Sequence, residues 1–183
     1  MNRNYLYIAY RGTKTKQGFF ARDFNINDTL SSHVGLLLYC NNDWYVYNVN
    51  DFKDGLSDFR KQKIEEFYDL EEERILSASF WKIEGIDSLN RNKILKKLEK
   101  YEKMTIQFDR YFTLDNPKKI YCSQFVCNIL EQTDSVKFRF DTRRRKLKGI
   151  YKSYFRKDTL EYYPVDIFQT NAHIKKIKEW TFE

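Results

Sequence analysis

Two prolines and six glycines in 183 residues are too few for long linkers, so a single domain spanning residues 1–183 is expected. Three cysteines, Cys40, Cys122 and Cys127, make an odd set without a C-x-x-C pair. That excludes a disulfide framework and a thiolate zinc site, and leaves reduced thiols. With two histidines, His33 and His173, most metal sites are out of reach. No metal and no cofactor is expected, and a histidine-dependent mechanism has only two candidates. No apolar run approaches the roughly 18 residues that a membrane helix needs. The opening "MNRNYLYIAYRG" lacks the apolar stretch and small-residue cleavage site of a signal peptide, so a cytoplasmic chain is expected.

What is present is globular: 42% hydrophobic and 17% aromatic residues. The net charge of +7 is concentrated, because ten Lys or Arg stand against one Asp between Lys137 and Lys157. Tyr5 to Tyr10 reads as a strand, and "GFFARDFNIND" as irregular or a short strand. "SHVGLLLYCNNDWYVYNVN" reads as a β-hairpin turning at Asn41 and Asn42. Leu56 to about Leu70 has the spacing of a helix capped by Ser57. "RILSASFWKI" follows as a strand, Ser88 to Lys103 as a helix, and a third helix starts near Tyr121. "VKFRF" and "GIYKSYF" are strand candidates around a basic loop, "DTRRRKLKG", and the tail holds a turn after Pro164 and a last strand or helix. The class is α+β: an antiparallel sheet or partly closed barrel with helices packed on one side.

The segment "YCSQFVCNIL" places Cys122 on the apolar face of a helix at its first turn, with Phe125, Val126 and Ile129 within about 60° of it. Cys127 falls on the other side, about 140° away. Free N–H groups at a helix start favour a thiolate and can hold an oxyanion, so Cys122 is the candidate nucleophile. His33 opens the strand "HVGLLLY", with Gly35 on the same face, and is the candidate base. His173 sits in the polar tail "TNAHIKKIKEW" with no sign of that role. If residues 40 and 43 pair, His33 lies opposite Asn50 and Asn48 is its diagonal neighbour. Either could fix the imidazole tautomer, and Asn48 is preferred because Asn50 is near the strand end.

With "SSHVGLLLY" ahead of "IYCSQFV", the chain resembles the permuted papain-like fold of the NlpC superfamily, its YiiX/YebB-like cysteine hydrolases in particular. Those read S-H-V-G-I on a strand and, later, Y-C-S-E-F/L-V opening a helix. "YYPVDIF" resembles their closing segment, and the likeness covers roughly residues 5 to 170. The resemblance implies His33 as base, Cys122 as nucleophile, and Asn48 at or near the third polar position, often Glu in bacterial members. Gln124 stands where Glu is common. It implies a thiolate–imidazolium pair acting on an amide, peptide or acyl-ester link, by hydrolysis or acyl transfer.

A different function class is carried by "KFRFDTRRRKLKGIYKSYFRK", where aromatic and basic residues interleave. Such a segment can track nucleic-acid phosphates or anionic lipid heads, with Arg143, Arg144, Arg145 and Lys146 at its centre. The commonest fate of such a run is a solvated loop.

Overall fold

The computed structural model describes residues 1–69 and 75–182. Six strands form one antiparallel sheet, in the order β10-β5-β1-β2-β3-β4. They are β1 (Leu6–Thr13), β2 (His33–Cys40), β3 (Asp43–Val49), β4 (Phe59–Lys63), β5 (Ile75–Ile83) and β10 (Ile174–Thr181). Two short pairs lie outside it: β6 (Gln107–Phe108) with β7 (Lys119–Ile120), and β8 (Arg143–Lys146) with β9 (Thr159–Tyr162). The helices are α1 (Lys16–Asp23), α2 (Ile64–Tyr68), α3 (Ser88–Glu102), α4 (Cys122–Glu131) and α5 (Gly149–Phe155), with a 3-10 turn at Ile167–Thr170.

The central hairpin follows directly from its turn chemistry. Asn41 and Asn42 both take positive φ, at 49° and 62°, which a two-residue turn needs to match strand twist and which Asn tolerates. Cys40 then pairs with Asp43, and the register runs back through Leu36 and Tyr47. Strand alternation divides the buried residues between two faces. Val34, Leu36 and Leu38 join Leu6, Ile8 and Tyr10 against Phe125, Val126 and Ile129 of α4. Each large side chain so buried contributes about 1.5–3 kcal/mol. Tyr7, Ala9, Leu37 and Val46 face the other way, under Phe67 of α2. Helices therefore cover both faces and the sheet stays open, which corrects the expectation of helices on one side or a closing barrel.

Other local expectations fail for identifiable reasons. Residues 59–63 form an edge strand, and Ser57 caps no helix: its hydroxyl bonds the Met104 carbonyl and accepts from the Ile106 N–H. Lysine is frequent on exposed sheet edges, and Lys61 lies over the Tyr45 ring at 4.5 Å. The expected helix end at Leu70 lies outside the described residues. "GFFARDF" is helical, its start capped by the Thr15 hydroxyl on the Gly18 N–H at 3.0 Å. "GIYKSYF" is α5, because Tyr151 and Phe155 share a face against Phe24 (5.1 and 5.7 Å). "RRRK" pairs with β9, whereas "VKFRF" forms no strand. Cys127 is buried like Cys122, since α4 is enclosed on nearly every side.

Candidate active site

Three element ends converge at one end of the two central strands. His33 is the first residue of β2, Cys122 the first of α4, and Arg11 lies near the end of β1, directly paired with His33. All three line a cavity of about 140 Å³. Its far walls are aromatic: Phe20 and Phe24, Tyr154 and Phe155, and Phe112.

His33 Nε2 stands 3.0 Å from Asn48 Oδ1. The Asn48 amide nitrogen donates to Gln62 Oε1 at 2.9 Å, which fixes the amide orientation and makes Oδ1 the acceptor. The Nε2–H therefore donates, and Nδ1 is left as the ring's lone-pair nitrogen. Gly35 makes this possible. Continuing the β2–β3 register places it opposite Asn48. A Cβ there would come within 2.5 Å of Val46 Cγ1 and 3.1 Å of Asn48 Cβ. Gly35→Ala is therefore expected to cost about 1–3 kcal/mol through overpacking and to move Asn48 off His33. A lower melting temperature together with a shifted His33 imidazole resonance in NMR spectra would register both effects.

Alternation puts the His33 ring on the α2 side, where it lies 5.7 Å from Phe67, rather than on the α4 side as a histidine aimed at the helix start would be. The strand's beginning, not its face, puts it on the cavity that Cys122 also lines, and no hydrogen bond joins the ring to the thiol. The N–H of Val34, the residue after His33, and that of Ser123 lie where they favour a Cys122 thiolate. Even so, burial pushes its pKa up to about 11, the amides and the Arg11 charge offsetting only part of that cost. Burial also drives His33 down to about 3, aided by the Arg11 guanidinium and opposed by the Asn48 bond. At rest the pair is thus thiol and neutral imidazole. The thiolate–imidazolium pair expected from the helix start is outweighed by desolvation.

Arg11 was not singled out by sequence reasoning. Its guanidinium lies over the Phe67 ring at 4.5 Å and donates to the Phe67 carbonyl. The signal was the parity of Tyr7, Ala9 and Arg11, which continues an apolar face into a charge, but it means nothing without the β1–β2 register. The positioning carboxylates were missed as well. Asp166, 1% exposed, accepts from the N–H groups of Ile26, Asn27 and Asp28 and so clamps the loop leading to His33. From the same segment, the Tyr163 carbonyl accepts from Ser123 Oγ (2.7 Å), while its N–H donates to Tyr121 Oη (2.8 Å). "YYPVDIF" thus ties the histidine loop to the start of the cysteine helix. Buried Asp109 accepts from the N–H groups of Tyr111 and Thr113, holding the turn in which Phe112 (φ 52°) faces the cavity.

Asn50 lines the cavity, but the hydrogen bond to His33 belongs to Asn48. His173 precedes β10 beside Phe138 and is not part of the cavity wall.

No protein-family model matches this chain, and no curated protein matches it in sequence. Among solved structures, it is similar to the metalloprotein YiiX from Escherichia coli O157:H7 (DUF1105), with a TM-score of 0.72 over 100% of both chains at 13% sequence identity. The YiiX-like fold is thereby shown. That protein is described as a metalloprotein; here, no three His, Cys, Asp or Glu side chains among the described residues gather where they could hold a metal. Of the donors lining the cavity, Cys122 and His33 feel the Arg11 guanidinium, whose charge opposes a cation, and Asp51 is paired with Arg110. The described residues do not fit a metal centre.

Proposed function

We propose that this protein is a cysteine-dependent hydrolase or acyltransferase on a permuted papain-like, NlpC-type fold. Cys122 is its nucleophile, His33 its base, and Asn48 the residue that orients the base. The observation that carries the reading is the Nε2–Oδ1 bond of 3.0 Å, which leaves Nδ1 of a buried imidazole as an acceptor in the cavity that Cys122 lines from a helix start.

Because both groups are neutral at rest, deprotonation accompanies attack. Cys122 sulfur bonds to the carbonyl carbon of an amide or ester as its proton passes to His33 Nδ1. The tetrahedral oxyanion faces the Cys122 N–H and its neighbours at the start of α4, which have no acceptor within the helix. Collapse breaks the bond to the amine or alcohol, which leaves with the proton from Nδ1 and gives a Cys122 thioester. Water or an acceptor nucleophile then gives its proton to His33 and attacks the thioester, and the departing sulfur recovers that proton.

The test is turnover of an activated ester such as p-nitrophenyl butyrate, read as nitrophenolate release and compared with Cys122→Ala. Loss of release in the variant is expected, and equal release would overturn the assignment. The neutral resting pair makes a separate prediction. Iodoacetamide should label Cys122 slowly at about pH 6 and faster only towards the thiol's raised pKa, about 11. Rapid, His33-dependent labelling at about pH 6 would instead show a preformed ion pair.

A further inference from the structure

The catalytic reading leaves unused the basic and aromatic segment, part of which the fold carries to the mouth of the cavity. Helix α1 exposes Lys16 and Phe19, three residues apart, and α5 exposes Ile150 and Tyr154, four apart, so each pair shares a helix face. Phe19 is 57% exposed and Ile150 60%. Rings join the two helices: Phe19 lies 6.2 Å from Phe20, and Phe20 lies 5.4 Å from Tyr154. Phe20 and Tyr154 also line the cavity, so apolar surface runs from its interior to open solvent. Lys16, Lys148 and Lys157 are exposed on the same two elements and their flanks, while Lys152 is paired with Asp158 at 2.6 Å.

We propose that this rim docks on the anionic surface of a phospholipid bilayer. Phe19 and Ile150 enter the boundary between headgroups and acyl chains, while the lysines face the headgroups. Two observations favour lipid over nucleic acid. Base stacking needs open ring faces, but Phe20 packs edge-on against Tyr151 and Tyr154, at 66° and 75°. Arg145, at the centre of the basic run, is paired with Asp23 at 3.0 Å and laid over the Phe24 ring at 4.5 Å. No described helix is long and apolar enough to cross a membrane, so the contact is peripheral. The docking does not depend on thiol chemistry, and Cys122→Ala should bind like the wild type.

Co-sedimentation with phosphatidylcholine vesicles, with and without phosphatidylglycerol, tests this. The wild type is expected to pellet with the anionic vesicles only, and less so as salt is raised. The double variant Phe19→Ser, Ile150→Ser should lose about tenfold or more in partitioning. Because a double variant can fail to fold, Phe19→Trp provides a second readout: its added emission should shift to the blue on anionic vesicles. Failure of the wild type to pellet, undiminished binding by a folded double variant, or no shift in Phe19→Trp would each overturn the proposal. So would tighter binding to a single-stranded RNA oligonucleotide that the same substitutions abolish.

Discussion

Cys122→Ser is expected to lower turnover of an activated acyl ester by more than about 10³-fold, while the melting temperature moves by no more than about 4 °C. The substitution keeps a small side chain at a position 5% exposed and leaves the contacts of Phe125, Val126 and Ile129 in place. What it removes is the polarisable sulfur and the readier loss of its proton. The other thiols give the contrast. Cys40 lies 3.5 Å from the Tyr47 hydroxyl, on the strand side of the hairpin turn, and Cys127 is fully enclosed. Cys40→Ala should leave turnover nearly unchanged. Cys127→Ala should lower stability, because it opens space in the core, but not the rate measured on folded protein. A folded Cys122→Ser variant that kept wild-type turnover would remove the nucleophile from the mechanism.

His33→Ala is the second large effect: a loss of about 10²–10⁴-fold, the usual worth of a positioned acid–base group. Asn48→Ala should lose less, because it frees the tautomer without removing the base. His173→Ala should lose nothing. The buried imidazole also leaves a mark on stability. In the folded protein His33 holds a proton only below about pH 3, against an ordinary value of 6.5 in the unfolded chain. Between those values the unfolded chain binds the extra proton, so folding is fully favoured above the window and loses stability as the pH falls through it. Thermal melts of His33→Gln should fall less steeply over that range than those of the wild type. Parallel curves would show that His33 is not buried as a neutral ring.

The candidate site residues were legible because local pattern decided them. Two adjacent asparagines fixed a tight turn, the turn fixed the register, and the register brought Asn48 diagonal to His33. The charge state was not legible, because it depends on how far the fold buries the pair. Helix-start amides argue for a thiolate, yet desolvation outweighs them here. Arg11 and Asp166 were missed for a related reason: each acts across a strand pairing or a loop contact that joins distant segments, such as Asp166 to Ile26. Some errors in secondary structure fell where aromatic residues dominate. "GIYKSYF" has strand-like composition, but Tyr151 and Phe155 meet Phe24 only from a helix. Residues 59–63 placed Phe59 at helical spacing from Phe67, yet they pair with β3 along a complete register.

The most direct test of the central claim is to trap the acyl-enzyme. Wild-type protein mixed rapidly with p-nitrophenyl butyrate and quenched in acid should gain one butyryl group in its intact mass, and peptide mapping should place it on the segment beginning at Tyr121, as a thioester that hydroxylamine removes. His33→Ala should accumulate little of it, and Cys122→Ala none. Nitrophenolate release with no adduct on Cys122, or an adduct that forms equally fast without His33, would contradict the account.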